Sequence, residues 1–142
     1  MTTHVDGGAN ANVFTERKWF WKYIPIKTTI NQVTGQTAPV EGMGIVPVRI
    51  KGYSSIYLLY PCYHMPNNPQ NTLGLTALKF YGQMRSVRLE ALSWLRIVDK
   101  DGNTARTATI PSYHTSKLMD YITLEVVHPR VSIPISTTAP FK

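Results

Sequence analysis

Turn-forming residues punctuate this chain so closely that long regular helices have little room between them. Ten prolines and nine glycines are spread over 142 residues. The stretches between them are short, apolar and rich in Thr, Val and Ile, residues that suit a pleated, half-buried surface. A mainly β fold is therefore expected.

The length fits one core with at most a small appended unit. Hydrophobic residues make up 43% of the chain, enough to bury that core, and the composition is not that of a disordered polyelectrolyte. No apolar run approaches the roughly 18 to 20 residues that span a bilayer, and the first ten residues lack the basic-then-apolar order of a secretion signal. A soluble protein with no membrane partner is expected. A single cysteine, Cys62, rules out an internal disulfide framework and a multi-cysteine zinc site and fits a reducing compartment. Fifteen basic against eight acidic residues give a net charge of +7, which favours contact with nucleic acid or another polyanion through a basic surface.

The local patterns are specific. Residues 28–33 and 38–40 flank Thr34-Gly35-Gln36-Thr37 and read as two strands joined at a glycine tip. Ile45 to Ile50 alternates as a half-buried strand, with Pro47 confining it to an edge or a bulge. The almost wholly apolar Ile56 to Tyr63 reads as a strand covered on both faces. In Arg17 to Tyr23, a short helix or a strand, the large rings read as core rather than as a base-stacking surface. Leu75 to Tyr81 reads as a short helix closed by Gly82. Farther on, Val87 to Val98 is one long apolar and basic run. Asp101-Gly102 then supplies a tight turn, and Thr104 to Ile110 returns as its partner. Tyr121 to Val127 is a last strand before a loosely ordered tail.

Most common chemistries lack their residues. There is no phosphate-cradling glycine motif, no nucleophile elbow and no pair of histidines at helical spacing. His4, His64, His114 and His128 are scattered, and Cys62 with His64 falls short of a zinc ligand set, so neither metal nor cofactor is expected. Cys62 reads as a packed thiol rather than a nucleophile. Asp6 remains, a carboxylate between Val5 and Gly7-Gly8 on a tight turn at a strand end. Taken alone, it reads first as a turn residue that bonds its own backbone, with no chemistry, and only second as a displayed acid.

Order along the chain supplies the context. Val5-Asp6-Gly7-Gly8-Ala9 resembles the apolar-Asp-Ser/Thr-Gly-Ala catalytic loop of the retropepsin family of aspartic proteases, in particular the protease region of copia-type retrotransposon polyproteins. Val40 to Val46 resembles the segment that follows the glycine-tipped flap in that group. Leu59 to Pro66 resembles its strand ending in Val-Pro or Met-Pro, and Asn71 to Leu78 its apolar-Gly strand, with Leu73-Gly74 as the structural motif, and terminal helix. The likeness covers residues 4 to 82; beyond it, Arg96 to Gly102 is similar only to the hairpin that follows the protease in such chains. Two departures stand out. Gly7 occupies the place of the supporting Ser or Thr, and only five residues precede Asp6, as in a piece excised from a longer precursor.

The resemblance implies a retropepsin-like closed β-barrel or sandwich over residues 1–84, with one short helix and a C-terminal β-hairpin extension in a β-rich segment of unknown role at 85–142. It implies an aspartic endopeptidase that processes a retroelement polyprotein. Asp6 is then the catalytic acid, supported by Gly7, Gly8 and Ala9, with Thr34, Gly35 and Gln36 forming a flap over the peptide substrate. Because the chain holds one such loop, the second aspartate comes from a second copy across a two-fold axis. The setting is intracellular, either cytoplasmic or within a retroelement particle. Two alternatives stand beside it: a non-catalytic descendant of the fold that binds nucleic acid or protein, and a structural protein of a virus-like assembly.

Overall fold

The computed structural model describes residues 1–6, 9–31, 35–54, 56–76, 84–90, 94–99, 104–108, 110–112 and 119–127, with side chains up to residue 76 and from 121. The fold is mainly β. Eleven strands are described: β1 (Thr2–Asp6), β2 (Asn12–Phe14), β3 (Lys22–Asn31), β4 (Thr37–Ile50), β5 (Ile56–His64), β6 (Asn71–Gly74), β7 (Met84–Glu90), β8 (Trp94–Asp99), β9 (Thr104–Ala108), β10 (Ile110–Ser112) and β11 (Met119–Val126). One 3-10 turn, Arg17–Trp19, links β2 to β3. Leu75 and Thr76 begin a helix; the rest of the helix expected at 75–81 lies outside the described residues. Among the described residues no helix is long and apolar enough to cross a membrane.

The larger sheet is mixed, in the order β10-β11-β1-β6-β2-β5-β4-β3, and β11 also pairs with β4. Ladders therefore link β1, β6, β2, β5, β4 and β11 in a ring. Two of these ladders are parallel, β1 with β6 and β2 with β5. The strand ahead of Asp6 is thus flanked on one side by β6 and on the other by antiparallel β11, from the far end of the chain. Strands β7, β8 and β9 form a separate three-stranded antiparallel sheet.

Alternation builds the core. Val46, Val48 and Ile50 of β4 are buried along with Tyr57 and Leu59 of β5, Val5 of β1, Phe14 of β2, Leu73 of β6, and Ile122 and Leu124 of β11. Strand β5 buries alternate residues over its first half and leaves Leu58, Tyr60 and Tyr63 half-buried, so it is covered fully on one face only. Of the rings at 19–23, Phe20 is in the core with Trp19 and Tyr23 packed against it, while Trp21 is half-buried and outside that cluster.

Pro47 lies within a strand paired on both sides, yet its missing N–H costs little. The β4–β5 register shifts between Gly44 and Val46, just before it, and β3 stops pairing with β4 at Ile45. On that side β11 takes over at Val48, and the Pro47 carbonyl accepts the Val127 N–H at 3.0 Å. The proline falls just after the register shift and where β3 gives way to β11, so on that side no ladder pair includes it.

Two hairpins follow their turn signals. β3 and β4 pair antiparallel around Gly35, whose φ of +82° is the left-handed conformation that favours glycine. β8 and β9 pair around 100–103, residues outside the described set that include Asp101-Gly102. The run at 87–98 is not one strand. It divides between β7 and β8, which pair antiparallel with Glu90 opposite Trp94. The stretch 104–110 is likewise divided: β9 belongs to the small sheet, and β10 pairs with β11 in the large one.

Close strand packing at Gly44 is testable. A Cβ there would lie 1.9 Å from the Lys22 carbonyl oxygen, a backbone atom in the neighbouring strand. Gly44→Ala is expected to lower stability by about 1–3 kcal/mol through overpacking, read as a shift in the urea unfolding midpoint; an unchanged midpoint would contradict this packing.

Candidate active site

Asp6 is the last residue of β1, and its surroundings come from three strands. Alternation places Val5 in the core and turns Asp6 to the opposite face, where it is half-buried. Its register partner in the parallel ladder is Gly74 of β6. Gly7 and Gly8 lie outside the described residues. Ala9 returns toward the strand, its N–H donating to the Asp6 carbonyl at 3.4 Å.

Gly74 is the contact on which the loop rests. A Cβ on it would lie 2.5 Å from the Ala11 carbonyl oxygen and 2.8 Å from that of Ala9. Only glycine lets β6 come this close, because both opposing atoms are backbone. Its neighbour Leu73 is 2% exposed and anchors β6 in the core. The Leu73-Gly74 motif thus does two jobs, one side chain filling the interior and one missing side chain admitting the loop.

Asn12 closes the same region from the other end of the loop. Its side chain is fully buried; Oδ1 accepts the Gly74 N–H at 2.9 Å, and Nδ2 donates to the Pro61 carbonyl at 3.2 Å. Among the described residues no buried side-chain N or O atom is left without a hydrogen-bond partner. A buried asparagine normally needs several partners at once, and here it ties β2 to both β6 and β5. The sequence gives no sign of this residue, since Asn10-Ala11-Asn12 reads as turn composition.

The β3–β4 hairpin is the expected flap. Beyond Gly42 it continues without β5 as a two-stranded ribbon, Thr28 opposite Val40 through Asn31 opposite Thr37. Gly35 and Gln36 are exposed at its end, and Thr34 lies outside the described residues. Four side chains brace the base of the ribbon. The Tyr23 hydroxyl and His64 Nδ1 share a hydrogen bond of 2.8 Å, the Phe20 ring meets both rings edge-on, and the Arg17 guanidinium lies 3.8 Å from the Tyr23 ring centre. Gly42 makes room, because a Cβ there would lie 2.1 Å from the Tyr23 ring. Burial raises the Tyr23 phenol above its ordinary pKa; nearby Arg17 opposes this and Glu41 adds to it. His64 is therefore a bracing residue of the hairpin, a role that spacing alone could not reveal.

Other chemistry finds little here. Among the described residues no three His, Cys, Asp or Glu side chains come together as a metal site requires. A polar cleft lined by Thr2, Thr15, Glu16, Asn68, Asn71 and Tyr121 opens at the Thr2 end of β1. A five-residue strand places it on the order of 13 Å from Asp6, too far to share a substrate bond. No family model matches the chain, and no curated protein matches it.

Cys62 is fully buried, with its thiol directed at the Leu59 carbonyl at 3.1 Å. Burial pushes its pKa well above that of a free thiol, outweighing the nearby Val46 and Asn12 hydrogen-bonding groups. Thiolate is the reactive form, so the folded protein is expected to resist an aromatic disulfide reagent at about pH 8 and to react fully in urea. Equal thiol titres in the two states would contradict this burial.

Proposed function

We propose that the chain is an aspartic endopeptidase of retropepsin type, active as a homodimer in which Asp6 of each subunit faces the other. The observation that carries this reading is the mounting of Asp6. A single carboxylate ends a strand flanked on both sides, on a loop seated against the apolar-Gly strand through Gly74. Leu73-Gly74 is the segment that resembles the apolar-Gly motif of that family, and it is the segment that receives the loop. β11 pairs with β1 on the side away from β6, so the short segment ahead of Asp6 is held on both sides.

The proposed chemistry needs two carboxyl groups and one water. Facing carboxyls cannot readily both ionise, so the pair holds one proton. The ionised member takes a proton from the water, whose oxygen attacks the scissile carbonyl carbon, while the protonated member donates to the carbonyl oxygen. The resulting gem-diol collapses as the amide nitrogen is protonated and the C–N bond breaks, leaving an acid and an amine with no covalent adduct on the enzyme. Gly35 and Gln36, at the free end of the β3–β4 ribbon, supply backbone groups to an extended peptide. The substrate is the polyprotein of a retroelement, processed in the cytoplasm or inside its particle.

A second reading has its own observation. Arg17, Lys18, Lys22 and Lys27 are exposed along the 3-10 turn and β3, with the Lys22 Nζ 4.9 Å from the Trp21 ring centre. Such a surface suits RNA or single-stranded DNA, with affinity that falls as salt rises.

The two readings part on one substitution. Asp6→Asn is expected to lower cleavage of a peptide library near pH 5 by at least about a hundredfold, the usual worth of a positioned acid or base, and pepstatin to inhibit the unsubstituted protein. Equal cleavage by the two forms would rule out Asp6 as the catalytic group.

A further inference from the structure

We infer that Asn12 is a positioning residue for the Asp6 loop, doing from a buried site what a hydroxyl at position 7 cannot do in this chain. The inference rests on the peptidase reading of Asp6. Gly7 carries no side chain, so position 7 supplies no hydroxyl to support the loop. Asn12 offers support from elsewhere.

Its two ends are held at one residue. Asp6 is opposite Gly74 through the parallel β1–β6 ladder, and Asn12, six positions on, takes the Gly74 N–H with its side-chain oxygen. Backbone pairing of β2 with β6 consists of the single pair Val13 and Thr72. Asn12 Oδ1 thus supplies, two residues past Thr72 on β6, an acceptor for the Gly74 N–H beyond the end of that ladder. A buried backbone N–H requires such a partner. The second arm, Nδ2 to the Pro61 carbonyl, fixes the amide against β5, so that Oδ1 is held toward Gly74. Between these ends the carbonyls of Ala9 and Ala11 press on the open face of Gly74. Loss of the clamp would let β6 draw away from the loop, and a displacement of about 1 Å at a reacting group can cost about a hundredfold in rate.

The test uses the full chain and two variants. Asn12→Ala removes both arms and is expected to lower kcat about a hundredfold with KM changed less than about threefold. Asn12→Asp is nearly isosteric, and burial raises the pKa of a carboxyl group. Its protonated form keeps an acceptor for the Gly74 N–H and a donor for the Pro61 carbonyl, while its ionised form loses the donor. The ratio of Asn12→Asp to unsubstituted kcat is therefore expected to be near one at low pH and to fall as pH rises through neutrality, whereas the Asn12→Ala ratio stays low throughout. Hydrogen exchange supplies a readout apart from activity: the Gly74 amide should exchange at least tenfold faster in Asn12→Ala than in the unsubstituted protein, with the Val5 amide unchanged.

The outcomes separate. Unsubstituted protein without Asp6-dependent cleavage would overturn the peptidase reading and the positioning role with it, while the exchange result still reports on the clamp. Asp6-dependent cleavage combined with unchanged kcat in both variants would overturn the positioning role alone. A pH-independent ratio for Asn12→Asp would likewise overturn it, since a merely structural amide would produce no such profile.

Discussion

A missing side chain sets the geometry around Asp6. At Gly74 the backbone of β6 meets the carbonyls of Ala9 and Ala11 closely enough that any Cβ would collide with them. Because β6 can approach, its N–H reaches Asn12 and its register with β1 ends opposite Asp6. Packing then secures the arrangement from below. Leu73, next in the chain, is buried with Val5, Phe14 and Leu59, so the strand that receives the loop is fixed in the core by its own neighbour. The close contact involves backbone atoms on both sides, and backbone yields less readily than a side chain when strained.

The ring of ladders extends that constraint across the chain. β11 pairs with β1 on one side and β4 on the other, so the first and last described strands of the large sheet hold each other. β4 in turn carries the ribbon formed with β3, and the Tyr23–His64 hydrogen bond ties the base of that ribbon to β5. The proposed catalytic loop and the proposed flap are thus joined through strands whose inner residues form one core. A peptide gripped by the ribbon would meet Asp6 in a geometry set by β4, β5 and β2 rather than by a flexible linker.

Local signals were legible and long-range ones were not. Gly35 announced the β3–β4 turn because a left-handed residue is a property of the turn itself. Alternation announced β4, and the apolar run at 56–63 announced β5 but not that only one of its faces would be fully covered. The division of 87–98 into β7 and β8 had no such mark, since neither glycine nor proline stands at 91–93. The return of β10 and β11 to the first sheet was invisible for a different reason: it depends on pairing with strands more than fifty residues away, and no local pattern encodes that choice. Asn12 was hidden by composition, because a buried amide that spans strands looks in sequence like any turn asparagine. His64 was weighed as a metal ligand, whereas its partner proved to be a phenol forty-one positions earlier.

The central claim is that each chain contributes one carboxyl group and that catalysis requires two. Mixing unsubstituted chains with the Asp6→Asn form at fixed total concentration, after exchange of subunits, tests it most directly. If a single carboxyl pair at a two-fold axis does the work, cleavage falls as the square of the active fraction, to about one quarter in an equal mixture. A linear fall to about one half would mean that each chain acts alone, and the account would be wrong.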